Sequence, residues 1–192
     1  MAFPPAHLLV GAGVAEVVRA AAPPLPRWRA WALAASLAVV PDLDLVLGLA
    51  LNRGAEYHGT FTHSIVATLV VGIAAAVAAG WRWGVLSGAG YGSHLLVDLL
   101  DDRGRTNVLL GWPFTPERPF AIARVFPPVP FGRAGGLKES ILALPRREAM
   151  LALGEQTLIG LLFFLALLTL AGAVRGLRWG WRARRARRRP SP

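Results

Sequence analysis

The sequence predicts an all-α fold: a polytopic transmembrane helical bundle of about four to five helices, with histidines and aspartates gathered at one end. Two observations predict it. Of 192 residues, 54% are apolar and only 17% charged, with mean hydropathy +0.46, whereas soluble domains are roughly 25% charged. The apolar residues also fall into blocks, several long enough for a hydrocarbon core of about 30 Å. There is no cysteine, which excludes disulfides, thiolate zinc sites and cysteine nucleophiles.

The opening "MAFPPAHLLVGAG" lacks a basic n-region and a convincing cleavage site, so the first apolar segment is expected to stay in the mature protein. Its "GAG" follows no strand and is not a phosphate loop. Residues 7–22 form a helix carrying Glu16 and Arg19 and ended by "PPLP"; it spans at a tilt or lies against the bundle. Residues 30–51 are apolar, but "PDLD" interrupts them at Pro41. Proline removes a backbone donor and disfavours helix at the residue before it, so a kink or stop is expected there.

Residues 64–80 and 83–100 are two further spans, separated by the interfacial "WRW". Gly72, Ala76 and Gly80 share one face of the first, and Gly84, Gly88 and Gly92 one face of the second. Small residues at every fourth position let helices approach closely in lipid, so a tight antiparallel hairpin turning at Trp81–Trp83 is predicted. Residues 102–153 are rich in Pro, Gly and charge and read as an extramembrane segment with an amphipathic helix near 137–152. Residues 156–174 contain no charge over 19 positions and are the clearest span. The predicted organisation is a membrane core at 1–101, the extramembrane segment at 102–153, a C-terminal span at 154–175 and a basic tail at 176–192.

Eight of the 21 basic residues lie between Arg175 and Arg189. Directly after an apolar helix, such a run marks the cytoplasmic end and meets anionic lipid headgroups; this outweighs a nucleic-acid reading. With Arg27, Arg29 and Arg82 on the same face, the arginine bias predicts a multi-pass protein of the cell (inner) membrane with a cytoplasmic C-terminal tail. The polar end then faces outward.

"YHGTFTHS" at 57–64 holds two of the chain's four histidines. Followed up and down through the spans, His7, Asp42, Asp44, His58, His63, His94 and Asp98 all arrive at one end. His94 and Asp98 are spaced i,i+4 and share a helix face. Imidazole with carboxylate suits zinc first, and manganese or iron as well. Each aspartate in a membrane segment costs about 2.5–3.5 kcal/mol, and zinc binding supplies roughly 10–16 kcal/mol, so one or two ions would compensate. Plainer readings compete. His7 could be an interfacial residue, Thr62 or Ser64 a helix cap, and Asp98 a partner of Arg103 or Arg105. Asp101 and Asp102 are expected to be solvated.

"AHLLVGAG", "PDLD", "HGTFTHS", "SHLLVDLLDDRG" and "LLGWPF", in this order over residues 6–114, resemble the membrane-bound metal-dependent hydrolase family. It is also described as the YdjM-type, LexA-binding, inner-membrane-associated hydrolases. The resemblance implies that His7, Asp42, Asp44, His58, His63, His94 and Asp98 are metal-site residues, with Gly104 and Pro113 as structural markers. The sequence departs from the family where Gly59-Thr60 replaces Arg-Gly; Arg53 could stand in for the missing arginine.

The function expected is a metal-dependent hydrolase acting on an amphiphilic or phosphorylated substrate, with Asp42 or Asp98 taking the proton from water. Membrane lipids are the expected surroundings. Two alternatives stand beside it. One is a non-catalytic metal-binding or ion-conducting membrane protein. The other is a membrane-anchored interaction protein whose basic tail binds a regulatory partner.

Overall fold

A computed structural model describes residues 3–22, 25–51, 53, 56–100, 108–115, 117, 122–127 and 147–187. Among these residues the chain is helical, with no strand. Helix α1 spans Pro4–Ala21. It starts earlier than the apolar pattern suggests because Pro4 and Pro5 are pre-set for the first helical turn, where a missing N–H costs nothing. Helix α2 covers Arg27–Leu37, and a 3-10 turn at Val40–Asp42 leads into α3, Leu43–Ala50. The break therefore falls just before Pro41.

A second 3-10 turn, Phe61–His63, precedes α4, Ile65–Ala79. Ser64 caps α4 by accepting from the amide of Ala67 at 3.0 Å. Helix α5 is Trp81–Asp98. The hairpin turns at Gly80 rather than at Trp81–Trp83: Gly80 has φ +93°, a left-handed conformation open to glycine, so Trp81 already begins the next helix. The last helix, α6, runs unbroken over Arg147–Arg187, absorbing both the C-terminal span and most of the basic tail. Of the expected amphipathic helix at 137–152, residues 137–146 lie outside the described residues, and the rest is the start of α6.

Small residues set the packing. A methyl group added at Gly84 would lie 2.5 Å from Ala76 Cβ and 2.7 Å from the carbonyl oxygen of Gly72, so the predicted stripes do face each other across α4 and α5. Ala34 on α2 is wedged between Gly11 of α1 and Gly90 of α5, where an added Cβ would meet it at 2.7 and 2.8 Å respectively. On α6, Gly160 lies against Ala6 in the same way. Helix α1 thus sits at the centre, touching α2, α5 and α6.

Among the described residues two segments are long and apolar enough to cross a bilayer: Arg27–Gly48, nearly continuous helix, and Arg147–Arg185. Only 11% of the apolar window in the second is buried, whereas the core helix of a soluble protein would be mostly covered. Helix α4 has no buried residue at all, and Leu69, Val70, Ile73 and Val77 are exposed. Apolar surface left bare on this scale suits a lipid environment.

Candidate metal centre

Contacts along the helices fix which ends meet. His94, near the end of α5, bonds Ala38 after α2, and the amide of Phe3 bonds Gln156 near the start of α6 at 2.6 Å. The start of α1, the ends of α2 and α5 and the starts of α4 and α6 therefore share one end of the bundle. Parts of the Pro/Gly-rich region dock there too. Leu109 donates to the carbonyl of Gly59 at 2.7 Å, the amide of Ile65 to that of Leu110 at 3.0 Å, and Ile122 to that of Leu99 at 2.7 Å.

All seven expected site residues lie at this end, and all are buried. Three overlapping groups place ligand atoms within 4.8 Å of one another: His7, His94 and Asp98; Asp42, His63 and His94; and Asp44, His58 and His63. Gly104, Asp101, Asp102, Arg103 and Arg105 fall outside the described residues. Arg53 pairs with Glu56 at 3.5 Å in an exposed position.

Hydrogen-bond partners fix the ring tautomers. His94 Nδ1 lies 2.8 Å from the carbonyl oxygen of Ala38; that oxygen only accepts, so Nδ1 carries the proton and Nε2 is a bare lone pair. Thr62 donates its hydroxyl to Asp44 Oδ2 at 2.7 Å, so at 2.9 Å from His63 Nδ1 it can only accept. In the neutral ring His63 Nε2 is then bare as well. The two Nε2 atoms face each other at 3.0 Å. Two lone pairs at that separation repel unless a cation or a proton lies between them.

Carboxylates complete the arrangement. Asp98 Oδ2 is 3.2 Å from His94 Nε2 and 3.5 Å from His63 Nε2. Asp42 Oδ1 is 3.6 Å from the first and 3.7 Å from the second. Tetrahedral zinc with ligands at about 2.0–2.1 Å has ligand–ligand edges of about 3.3 Å, and these five edges run from 3.0 to 3.7 Å. Both oxygens of Asp42 and Oδ1 of Asp98 are buried without a hydrogen bond, which is costly for carboxylates unless a cation compensates. His63, Asp42, Asp98 and His94 therefore fit a divalent ion.

His7 stacks on His94 with ring centroids 4.0 Å apart, and its Nε2 lies 3.6 Å from Asp98 Oδ1. Asp98 so presents one oxygen to each side. Asp44 is engaged differently: Oδ1 accepts from His58 Nδ1 at 2.9 Å, and Oδ2 takes Thr62 and, at 3.3 Å, the amide of Gly59. Gly59 has φ +77°, a backbone that an arginine would adopt only under strain. With no cation present, burial opposes charging His63, but the facing carboxylates of Asp42, Asp44 and Asp98 outweigh it and push its pKa up to about 9.

The sequence reading missed three parts. The Ala38 carbonyl and the Thr62 hydroxyl fix the imidazole tautomers, and Tyr91 donates to the Thr62 carbonyl at 2.7 Å, tying the 3-10 turn to α5. Thr62 was visible as a polar residue beside His63; a backbone carbonyl leaves no mark in a sequence.

Residues 1–181 match the model of the YdjM inner membrane protein family, nearly the whole chain, and the chain belongs to that family. A search of the curated proteins and one of the solved structures gave no match.

Proposed function

We propose that this member of the YdjM inner membrane protein family is a multi-pass, metal-dependent hydrolase that cleaves an ester, a phosphoester first, of an amphiphilic substrate. The observation that carries it is the pair of imidazole Nε2 atoms 3.0 Å apart, both bare when the rings are neutral, ringed by buried carboxylate oxygens that accept no hydrogen bond.

His63 Nε2, His94 Nε2, Asp42 Oδ1 and Asp98 Oδ2 would hold the ion, zinc in preference to manganese or iron. His7 with Asp98 Oδ1 offers room for a second. A divalent ion there supplies Lewis acidity, acidifying water and polarising a phosphoryl or acyl oxygen. Asp44 is a positioning residue: through Thr62 it keeps the His63 proton on Nδ1, the usual role of a carboxylate behind a metal-binding histidine. Asp42 is the better placed of the two candidate bases. It is 9% exposed against 4% for Asp98, and its Oδ2 is left to accept a proton from water. Leu43, Val46, Leu47 and Phe61, neighbours of the site in sequence, are exposed, so a substrate arriving here meets an apolar shoulder.

Multi-pass insertion is supported by helix direction and by what flanks the bundle. Helices α1, α4 and α6 lead away from the site, and α2 and α5 lead back. Between Gln156 and Arg175, α6 rises about 28 Å, close to the hydrocarbon thickness. Exposed Trp28, Trp81, Trp179 and Trp181 collect at the end away from the site, and three of them sit under arginines: Arg29, Arg82 and Arg185. Phe61 and Trp112 pack at the site end with centroids 6.2 Å apart. Aromatic residues at both ends suit two membrane interfaces, and the arginine-rich end belongs in the cytoplasm.

The test uses the full chain in detergent, loaded with zinc and given phospholipid and polyprenyl phosphate substrates. Release of phosphate or a cleaved headgroup is expected, abolished by chelation and by His94→Ala with helicity retained. Unchanged metal content in His94→Ala would sink the site. Stoichiometric metal without turnover on any ester would leave a non-catalytic metal-binding protein.

A further inference from the structure

The end of the bundle away from the histidines is also organised around a buried charge. Glu16 on α1 is wholly buried. Its Oε1 accepts from Arg19 at 2.7 Å, Trp31 at 2.8 Å and Arg27 at 3.1 Å, and its Oε2 from Arg175 of α6 at 2.9 Å. Beside this knot lies a pocket of about 260 Å³ lined by Arg19, Ala20, Arg175, Arg178, Trp179 and Arg182.

The charges do not balance. Four arginines line the pocket, and among the described residues Glu16 is the one carboxylate against them, which leaves +3. The carbonyl end of α1 contributes about −0.5, so roughly +2.5 remains. Arg178 donates to the carbonyls of Ala20 and Ala21, closing the end of α1, while Arg182 makes no hydrogen bond or ion pair among the described residues. Guanidinium groups converging on one cavity, with an aromatic wall from Trp179, match a phosphate group: planar donor forks pair with its oxygens.

We propose that this pocket binds a phosphate group carrying net negative charge, supplied by an anionic lipid headgroup or by dissolved phosphate. The pocket lies about 18 Å along α1 from His7, twelve residues at 1.5 Å each, so it is a separate site from the metal centre and does not depend on the hydrolase reading. An occupant would bridge α1 and α6 through Arg19 and Arg175, reinforcing the pairing already made by Glu16.

The experiment uses the full-length protein in a zwitterionic detergent. Phosphatidylglycerol, phosphatidylcholine and inorganic phosphate are titrated separately at constant ionic strength, with native mass spectrometry counting retained adducts. Retention of phosphatidylglycerol but not phosphatidylcholine is expected; competition by millimolar inorganic phosphate would show that the dissolved anion is taken as well. Arg182→Gln should weaken binding tenfold or more without disturbing a helix contact. Arg184→Gln, an exposed residue that does not line the pocket, should change it no more than about fivefold, the effect of one surface charge. Equal losses in the two variants, or equal retention of phosphatidylcholine, would overturn the proposal, as would no adduct in any arm.

Discussion

Replacing Asp44 with asparagine tests the proton inventory without removing a proposed ligand. The carboxylate faces four donors: His58 Nδ1 at 2.9 Å, Thr62 Oγ1 at 2.7 Å, the Gly59 amide at 3.3 Å and His63 Nδ1 at 3.2 Å. An asparagine offers one oxygen and an NH2 group. If the oxygen stays with His58, the NH2 confronts the hydrogens of Thr62, Gly59 and His63. Thr62 must then turn its hydroxyl toward His63, and the imidazole proton moves to Nε2, the atom required bare for a cation. Loss of such an outer partner weakens metal binding ten- to a hundredfold, about 1.4–2.7 kcal/mol. The assay is zinc competition against a chromophoric chelator, with helicity followed by circular dichroism. Asp44→Asn should keep the wild-type stoichiometry with a dissociation constant raised ten- to a hundredfold. An unchanged constant would refute the positioning role; complete loss of stoichiometric zinc would mean Asp44 is itself a ligand.

Zinc affinity should depend on pH, with a sign fixed by His63. Its pKa of about 9 without a cation means that binding below that pH releases a proton, so affinity climbs about tenfold per unit from pH 7 and flattens above 9; a flat profile contradicts this. Gly84→Val drives side-chain atoms into Ala76 and the Gly72 carbonyl and should cost about 1–3 kcal/mol, read as a lowered thermal midpoint, whereas Gly172→Val, with nothing within 4 Å, should be near neutral. Glu16→Gln removes the carboxylate from three arginines and one tryptophan. Because those arginines are partly exposed, the loss should be about 2 kcal/mol rather than the larger figure for a fully buried pair, and it should leave zinc stoichiometry unchanged. A reporter fused after Pro192 should give cytoplasmic signal; extracytoplasmic signal would invert the orientation.

Much of this was legible because apolar blocks and scarce residue types survive in one dimension. Four histidines and three aspartates, placed on alternating helices, could reach one end only, and they do. The Gly72–Ala76 and Gly84–Gly88 stripes forecast a real contact because a missing side chain is itself a sequence signal. Asp42 and Asp44 could not be told apart, since two carboxylates two residues apart differ only in what the fold brings to them: bare imidazole nitrogens for one, N–H and O–H donors for the other. The tautomer of His94 rests on a carbonyl 56 residues away. The partnership of Glu16 with Arg175 spans 159 positions; only the local Glu16–Arg19 spacing hinted at it. Residues 108–115 return to Gly59 and Ile65 through backbone bonds that no periodicity encodes.

The first helix runs alongside the last, Ala6 against Gly160 and Glu16 against Arg175. A ribosome delivers those two halves of one contact surface at opposite ends of translation. Until the final segment emerges, the helix bearing His7 lacks its largest neighbour, so the histidine end closes late in biogenesis. The seven histidines and aspartates all precede that segment, so a truncated product would carry them without the neighbour that packs along the first helix.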